Sequence, residues 1–227
     1  MSQAVLHRFS SQQACNEALA NVLSSRIEQA LADAKSASLL LPGGSTPKGL
    51  LACLQQRALP WSQVQISVTD ERWVAADAAQ SNTQMLRRAL PKAQLLEPRL
   101  ADNAQASSVA WAQALQERLP FAASVLGMGD DGHVASLFAG MPGLAEGIDF
   151  AARPCALVGL APDEPRVRLS LNLAMLASTQ WLGVLLFGET KGQMLERVLA
   201  NDPTTQALPI YHLLWRAPLP VQVYWAP

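Results

Sequence analysis

The feature that most constrains this chain is an alternation. Short apolar runs of strand length each stop at glycine or a polar cluster, and stretches with helical spacing separate them. "SLLLP" at 38–42, "VQISVT" at 64–69 and "AASVLG" at 122–127 are the first three runs; "CALVGL" at 155–160, "WLGVLLFG" at 181–188 and "VQVYW" at 221–225 continue the series. Between Gln12 and Ala34, residues Leu19, Val22, Leu23, Ile27, Ala30 and Leu31 recur at three-and-four spacing behind Ser10 and Ser11, either of which can cap a helix. Helical patterns also fill 105–119 and 190–199. Strands joined through helices form a mainly parallel sheet, because a parallel connection needs a crossover long enough to hold a helix. The pattern predicts an α/β fold, a Rossmann-like and largely parallel sheet flanked by helices, with ligands beyond the carboxyl ends of the strands. "AGMPGLAEG" at 139–147 reads as an exposed loop.

With 227 residues and 50% apolar content the chain can bury the core of one large domain, and 1–227 is read as a single domain. Its 17 basic and 18 acidic residues leave a net charge of −1, which provides no field to draw the chain to nucleic acid or to an anionic membrane. An anionic ligand must therefore be held by local charge. Cys15, Cys53 and Cys155 are odd in number, widely spaced and without C-x-x-C spacing, so they read as buried thiols in a reducing cytoplasm. No apolar stretch approaches the roughly 18 residues of a membrane span, and "MSQAVLHRFSSQQ" lacks the apolar core of a signal peptide. A cytoplasmic protein with no membrane partner is expected.

Three of the predicted strands end in chemistry. After the first, Gly43 and Gly44 free the backbone to turn, Ser45 and Thr46 add hydroxyls, and Thr46 with Pro47 fits the N-cap and first position of a helix. Exposed N–H groups at such a turn favour an anion. After the second come Asp70, Glu71 and Arg72. After the third comes "VLGMGDDGHVASLF", whose glycines at 127, 129 and 132 fit G-x-G-x-x-G. Asp130 and Asp131 would repel a pyrophosphate there, and the next predicted strand ends without an acid to hold a ribose, so a dinucleotide is not expected. The turn instead projects Asp131 and His133, a side chain whose ordinary pKa near ~6.5 suits it to act as a base. Arg166 before a strand-like stretch and Lys191 in the first turn of a helix are further candidate cations. His7 and His212 read as structural or surface residues, and no H-x-x-H or H-E-x-x-H spacing supports a metal site.

Taken in order, "LPGGSTP", "TDERWV", "SNTQM", "LGMGDDGHVASLF", "EPRVRLSL" and "GETKGQML" resemble the 6-phosphogluconolactonase family over roughly residues 7–200. The resemblance implies hydrolysis of 6-phospho-D-glucono-1,5-lactone to 6-phosphogluconate in the oxidative pentose phosphate pathway, by an enzyme with no redox cofactor. Its partner would be a small phosphorylated sugar lactone, and the protein a monomer or weak homodimer. His133 would be the general base, Asp131 its orienting group or a contact to substrate hydroxyls, and Arg72 or a backbone N–H the oxyanion partner. Gly43, Gly44, Ser45, Thr46, Asp70, Arg166 and Lys191 would bind substrate and phosphate, with the division of the cations between phosphate and oxyanion left open. The chain departs from the family pattern at Arg168, where a threonine-like residue is usual, at Asn172 in place of a proline, and in its "VYWAP" tail. The related glucosamine-6-phosphate deaminases share the glycine-Ser-Thr and "DGH" turns. They carry a tyrosine where this chain has Arg72 and a glutamate where it has Phe138. A non-catalytic sugar-phosphate-binding regulator would keep the phosphate turn and have no need of His133.

Overall fold

In the computed structural model, which describes residues 4–227, the predicted alternation folds into one seven-stranded sheet and a separate three-stranded one. The strands are β1 (Ala4–Arg8), β2 (Ala37–Leu41), β3 (Val64–Val68), β4 (Asp70–Arg72), β5 (Gln94–Leu95), β6 (Ala123–Leu126), β7 (Ala156–Leu160), β8 (Val167–Leu171), β9 (Leu182–Phe187) and β10 (Val221–Ala226). The helices are α1 (Gln12–Asp33), α2 (Lys48–Gln55), α3 (Asn82–Ala89), α4 (Ala104–Gln116), α5 (Leu144–Gly147), α6 (Leu173–Leu176), α7 (Glu189–Leu199) and α8 (Pro209–Arg216). None of them is long and apolar enough to cross a membrane, among the described residues.

The main sheet runs β1-β10-β9-β6-β2-β3-β5, and every neighbouring pair is parallel. Its central strands are buried on consecutive residues, as in Ala123–Leu126 and Leu182–Leu186, because helices cover both faces. Helix α1 buries Cys15, Leu19, Leu23 and Ile27 on the stripe that the three-and-four spacing predicts, and Ser11 caps it by accepting from the Ala14 N–H at 3.2 Å. From β2 the chain builds outward through β3 to β5, then returns to place β6 on the other side of β2 and continues through β9 to β10. Strand order therefore reverses between β2 and β6, and the crevice beyond their carboxyl ends is where a fold of this kind binds ligands.

Several expectations are corrected. The strand at 155–160 exists as β7 but belongs to the antiparallel sheet β4-β8-β7. Thr46 does not cap α2: the helix starts at Lys48, Pro47 holds the N-cap position, and no side chain caps it. The stretch 139–147 is not wholly an exposed loop, since it ends in α5 and buries Met141 and Gly147. The strand expected at 221–225 is borne out as β10, which runs through most of the "VYWAP" tail to Ala226, and its Trp225 indole donates to the Gly188 carbonyl at 3.2 Å. Asn172 takes the place of proline as the cap of α6, accepting from the N–H groups of Met175 and Cys155 and donating to the Arg153 carbonyl.

Candidate active site

Four strand ends supply one crevice. Gly43, Gly44, Ser45 and Thr46 follow β2; Thr69, Asp70 and Arg72 follow β3; Gly127, Gly129, His133 and Ala135 follow β6; and Lys191 comes from the first turn of α7, after β9. Together they line a cleft of about 200 Å³. A larger hollow of about 480 Å³ shares Gly44, Arg72 and Asn82 with it and adds Lys48 and Arg88.

The β2 turn approaches α3 closely. A Cβ on Gly43 would fall 2.0 Å from the Asn82 side chain, and that side chain donates Nδ2–H to the Asp70 carbonyl at 2.8 Å. Glycine at 43 thus leaves room for the Asn82 side chain to tie α3 to β4. Glu71, expected on the rim, points inward. It is 1% exposed and accepts from the N–H groups of Arg72, Asn82 and Thr83 at 2.8 Å and from the Ser81 hydroxyl at 3.0 Å. A carboxylate at the first turn of α3 satisfies donors that helix geometry leaves unpaired. With Glu71 fixed inward, strand alternation turns Asp70 and Arg72 to the opposite face. Asp70 accepts from the hydroxyls of Thr69 at 3.1 Å and Ser136 at 2.6 Å, while Arg72 donates to the Gln80 carbonyl at 2.7 Å.

The turn after β6 closes on itself. The Gly129 N–H donates to the His133 carbonyl and the Gly132 N–H to the Gly129 carbonyl, both at 3.0 Å. Gly132 has φ +80, a left-handed conformation that glycine adopts without strain. Two N–H groups that a pyrophosphate would need are thus spent inside the turn. His133 Nδ1 lies 2.5 Å from Asp131 Oδ1, and the same oxygen accepts the His133 N–H at 3.2 Å. With Nδ1 held by a carboxylate, Nε2 is the ring nitrogen left to exchange a proton. The hydrogen bond from His133 holds the Asp131 carboxyl below the usual carboxylate range, with partial burial opposing it. The Phe138 ring packs 4.4 Å from the imidazole at 42°. Ala135, which follows in the left-handed region at φ 51, is a backbone exception beside the cleft.

Of the candidate residues, Gly43, Gly44, Ser45, Thr46, Asp70, Arg72, His133 and Lys191 meet at the cleft, and Asp131 reaches it through His133. Arg166 does not: it is exposed, just before β8, with Nε directed to the Ala161 carbonyl at 3.4 Å. Asp130 is exposed outside the cleft. Asn82 and Ser136 are additions to the site. Asn82 lies inside the "SNTQM" stretch, whereas nothing in the local pattern marks Ser136. The other histidines are elsewhere, His7 facing Gln222 at 2.8 Å and His212 in α8. No group of three metal-ligating side chains gathers among the described residues.

The sequence model of the family described as glucosamine-6-phosphate isomerases/6-phosphogluconolactonase matches residues 10–225. A 6-phosphogluconolactonase of Pseudomonas putida is 34% identical over 228 residues, covering 98% of this chain and 93% of the relative. Another, from Pseudomonas aeruginosa, is 35% identical over 213 residues, with 91% and 89% covered. The crystal structure of a 6-phosphogluconolactonase from Shewanella baltica superposes with a TM-score of 0.89 at 30% identity, covering 99% of this chain and 98% of that one.

Proposed function

Because the chain belongs to the glucosamine-6-phosphate isomerase and 6-phosphogluconolactonase family, we propose that it hydrolyses 6-phospho-D-glucono-1,5-lactone to 6-phospho-D-gluconate. The observation that carries this reading is the 2.5 Å contact between Asp131 and His133 on the wall of a cleft that also holds Lys191 and the Gly43–Thr46 turn. Lactone hydrolysis needs a base for water, a partner for the developing oxyanion and a proton for the departing ring oxygen. His133 Nε2 takes a proton from water as the water oxygen bonds to C1 and the carbonyl electron pair moves onto its oxygen. When that pair returns, the bond from C1 to the ring oxygen breaks, and His133 delivers its proton to that oxygen. The new carboxyl group then loses its own proton to solvent at neutral pH.

Asp131 keeps the imidazole oriented and favours its cationic form midway, while Arg72 faces the oxyanion. Lys191 and the backbone of the Gly43–Thr46 turn receive the phosphate, where charge-assisted hydrogen bonds supply the attraction that the near-neutral chain lacks. Arg166 takes no part in this assignment.

Phe138 bears on the alternative. It occupies the place beside His133 where the deaminase pattern has a carboxylate, and a phenyl ring cannot move a proton. Purified protein mixed with freshly generated lactone should hydrolyse it well above the spontaneous rate. It should release no ammonia from glucosamine-6-phosphate. Ammonia release without lactone hydrolysis would reverse the assignment.

A further inference from the structure

Strands β4 and β8 set two arginines face to face. Arg72 and Arg168 are direct partners in the antiparallel register. The bonds from Trp73 N–H to the Val167 carbonyl and from Leu171 N–H to the Thr69 carbonyl mark the alternate positions as the hydrogen-bonded pairs. Arg72 and Arg168 therefore form a non-hydrogen-bonded pair, the type in which Cα atoms come within about 4.5 Å and side chains lie nearest. Like charges at such a pair destabilise a sheet.

Arg168 is also 8% exposed, and its Nε is sealed from solvent without a partner. Neither guanidinium enters an ion pair among the described residues. Burial, and after it the Arg72 charge, weaken the hold of Arg168 on its proton, and Asp70, Glu71 and Asp163 act in the other direction. Two of those carboxylates are engaged already, Asp70 by Thr69 and Ser136 and Glu71 by the start of α3. A buried guanidinium in this setting costs the fold stability.

The register puts both arginines on the same face as Asp70 and Ser170, and Asp70 and Arg72 line the cleft. The Ser136 N–H donates to the Ser170 hydroxyl at 3.0 Å, so the segment following His133 rests on that face. On the other flank Arg168 is opposite Gly159, where a Cβ would come 2.9 Å from the Ser136 carbonyl.

We infer that Arg168 is a second guanidinium at the oxyanion end of the cleft, drawn with Arg72 to the charge that develops on the C1 oxygen in the intermediate and that forms again at C1 when the product carboxyl group ionises. This rests on the lactonase reading. Lys191, which the lactonase reading gives to the phosphate, stands well apart from the arginine pair along the sheet. Lys191 follows β9 and Arg72 follows β3, with β6 and β2 between them, a separation of three strand spacings or about 14 Å at the level of the sheet. Two cationic groups on opposite sides of a cleft match a product that is anionic at both ends.

Binding measured by calorimetry tests the assignment without turnover. 6-Phosphogluconate carries both the phosphate and the carboxylate, whereas glucose 6-phosphate carries the phosphate alone. Replacing Arg168→Met should weaken 6-phosphogluconate about 10- to 100-fold and leave glucose 6-phosphate within about twofold, the scale expected when one hydrogen bond to a charged group is lost. The same variant should lower kcat for the lactone more than it changes KM, and should melt at a higher temperature than wild type. Arg168→Gln gives the same ratio should the methionine variant fail to fold. Equal weakening of both ligands would move Arg168 to the phosphate, and unchanged binding of both would make it structural; either overturns the proposal. If wild type binds both ligands without hydrolysing the lactone, the lactonase reading fails while the ratio still decides the role of Arg168. Wild type that binds neither overturns both.

Discussion

A Cβ on Gly129 would fall 2.1 Å from Cε1 and 2.2 Å from Nδ1 of His133. The imidazole lies directly over the glycine Cα, so the residue is fixed by the position of the ring and not by its own backbone angle. Gly129→Ala should leave the fold intact and push His133 off Asp131. A displacement of about 1 Å can cost on the order of 10²-fold in rate, and kcat for the lactone should fall by that order while the melting temperature moves little. A variant with wild-type kcat would show that the ring does not act from this position.

His133→Asn removes the base and keeps a polar side chain of similar reach. The expected loss is about 10²- to 10⁴-fold in kcat, the usual contribution of general acid–base catalysis, with folding unchanged by circular dichroism. Turnover near wild type would remove His133 from the mechanism.

Asp131 links the same pair to acid stability. Its folded pKa is lowered, chiefly by the His133 hydrogen bond, so its contribution to stability is present above the unfolded value of about 3.9 and is lost as pH falls through the lower folded value. Chemical denaturation at a series of pH values should show the gap between wild type and Asp131→Asn closing on the acid side. A gap that stays constant into strong acid would mean that the carboxylate is not held as described. The group is exposed enough for solvent to screen the effect, so the change should be small.

Lys191→Met keeps much of the apolar stem and deletes the ammonium. Losing a hydrogen bond to a charged phosphate should cost about 1.5–3 kcal/mol, or roughly 10- to 150-fold in kcat/KM, mostly in KM. Unphosphorylated glucono-1,5-lactone should be handled poorly by wild type and about equally poorly by the variant. Equal losses on both lactones would place Lys191 at the reacting carbonyl.

The long apolar runs and the periodic helix α1 were legible because burial on two faces, or on one stripe, leaves a pattern that survives without tertiary context. β1 and β4 were not, since "AVLHR" and "DER" are too short and polar to announce strands whose formation depends on distant partners. The glycine turns and the "DGH" turn disclosed which residues would meet at the cleft, because each directly follows a readable strand. Side-chain direction was less accessible. Glu71 looks like its neighbours on the rim in sequence, but α3 and its N-cap supply three donors for it and the Arg72 N–H a fourth. In "EPRVRLSL" the choice between Arg166 and Arg168 depends on register alone. β8 begins at Val167, leaving Arg166 outside the ladder and Arg168 across from Arg72.

The parallel pairing of β1 with β10 also sets an order of events during synthesis. Among the described residues β10 is the only strand bonded to β1 in the sheet, so β1 finds this neighbour only after the eight strands between them in the chain have been made. Until then its backbone donors and acceptors are unpaired, and closure of so long a loop comes late in folding. The cleft strands β6, β2 and β3 contact one another without waiting for that closure. A nascent chain can therefore assemble the scaffold of the cleft while one margin of the sheet is still open, and that margin is where a stalled chain would be most prone to pair with another.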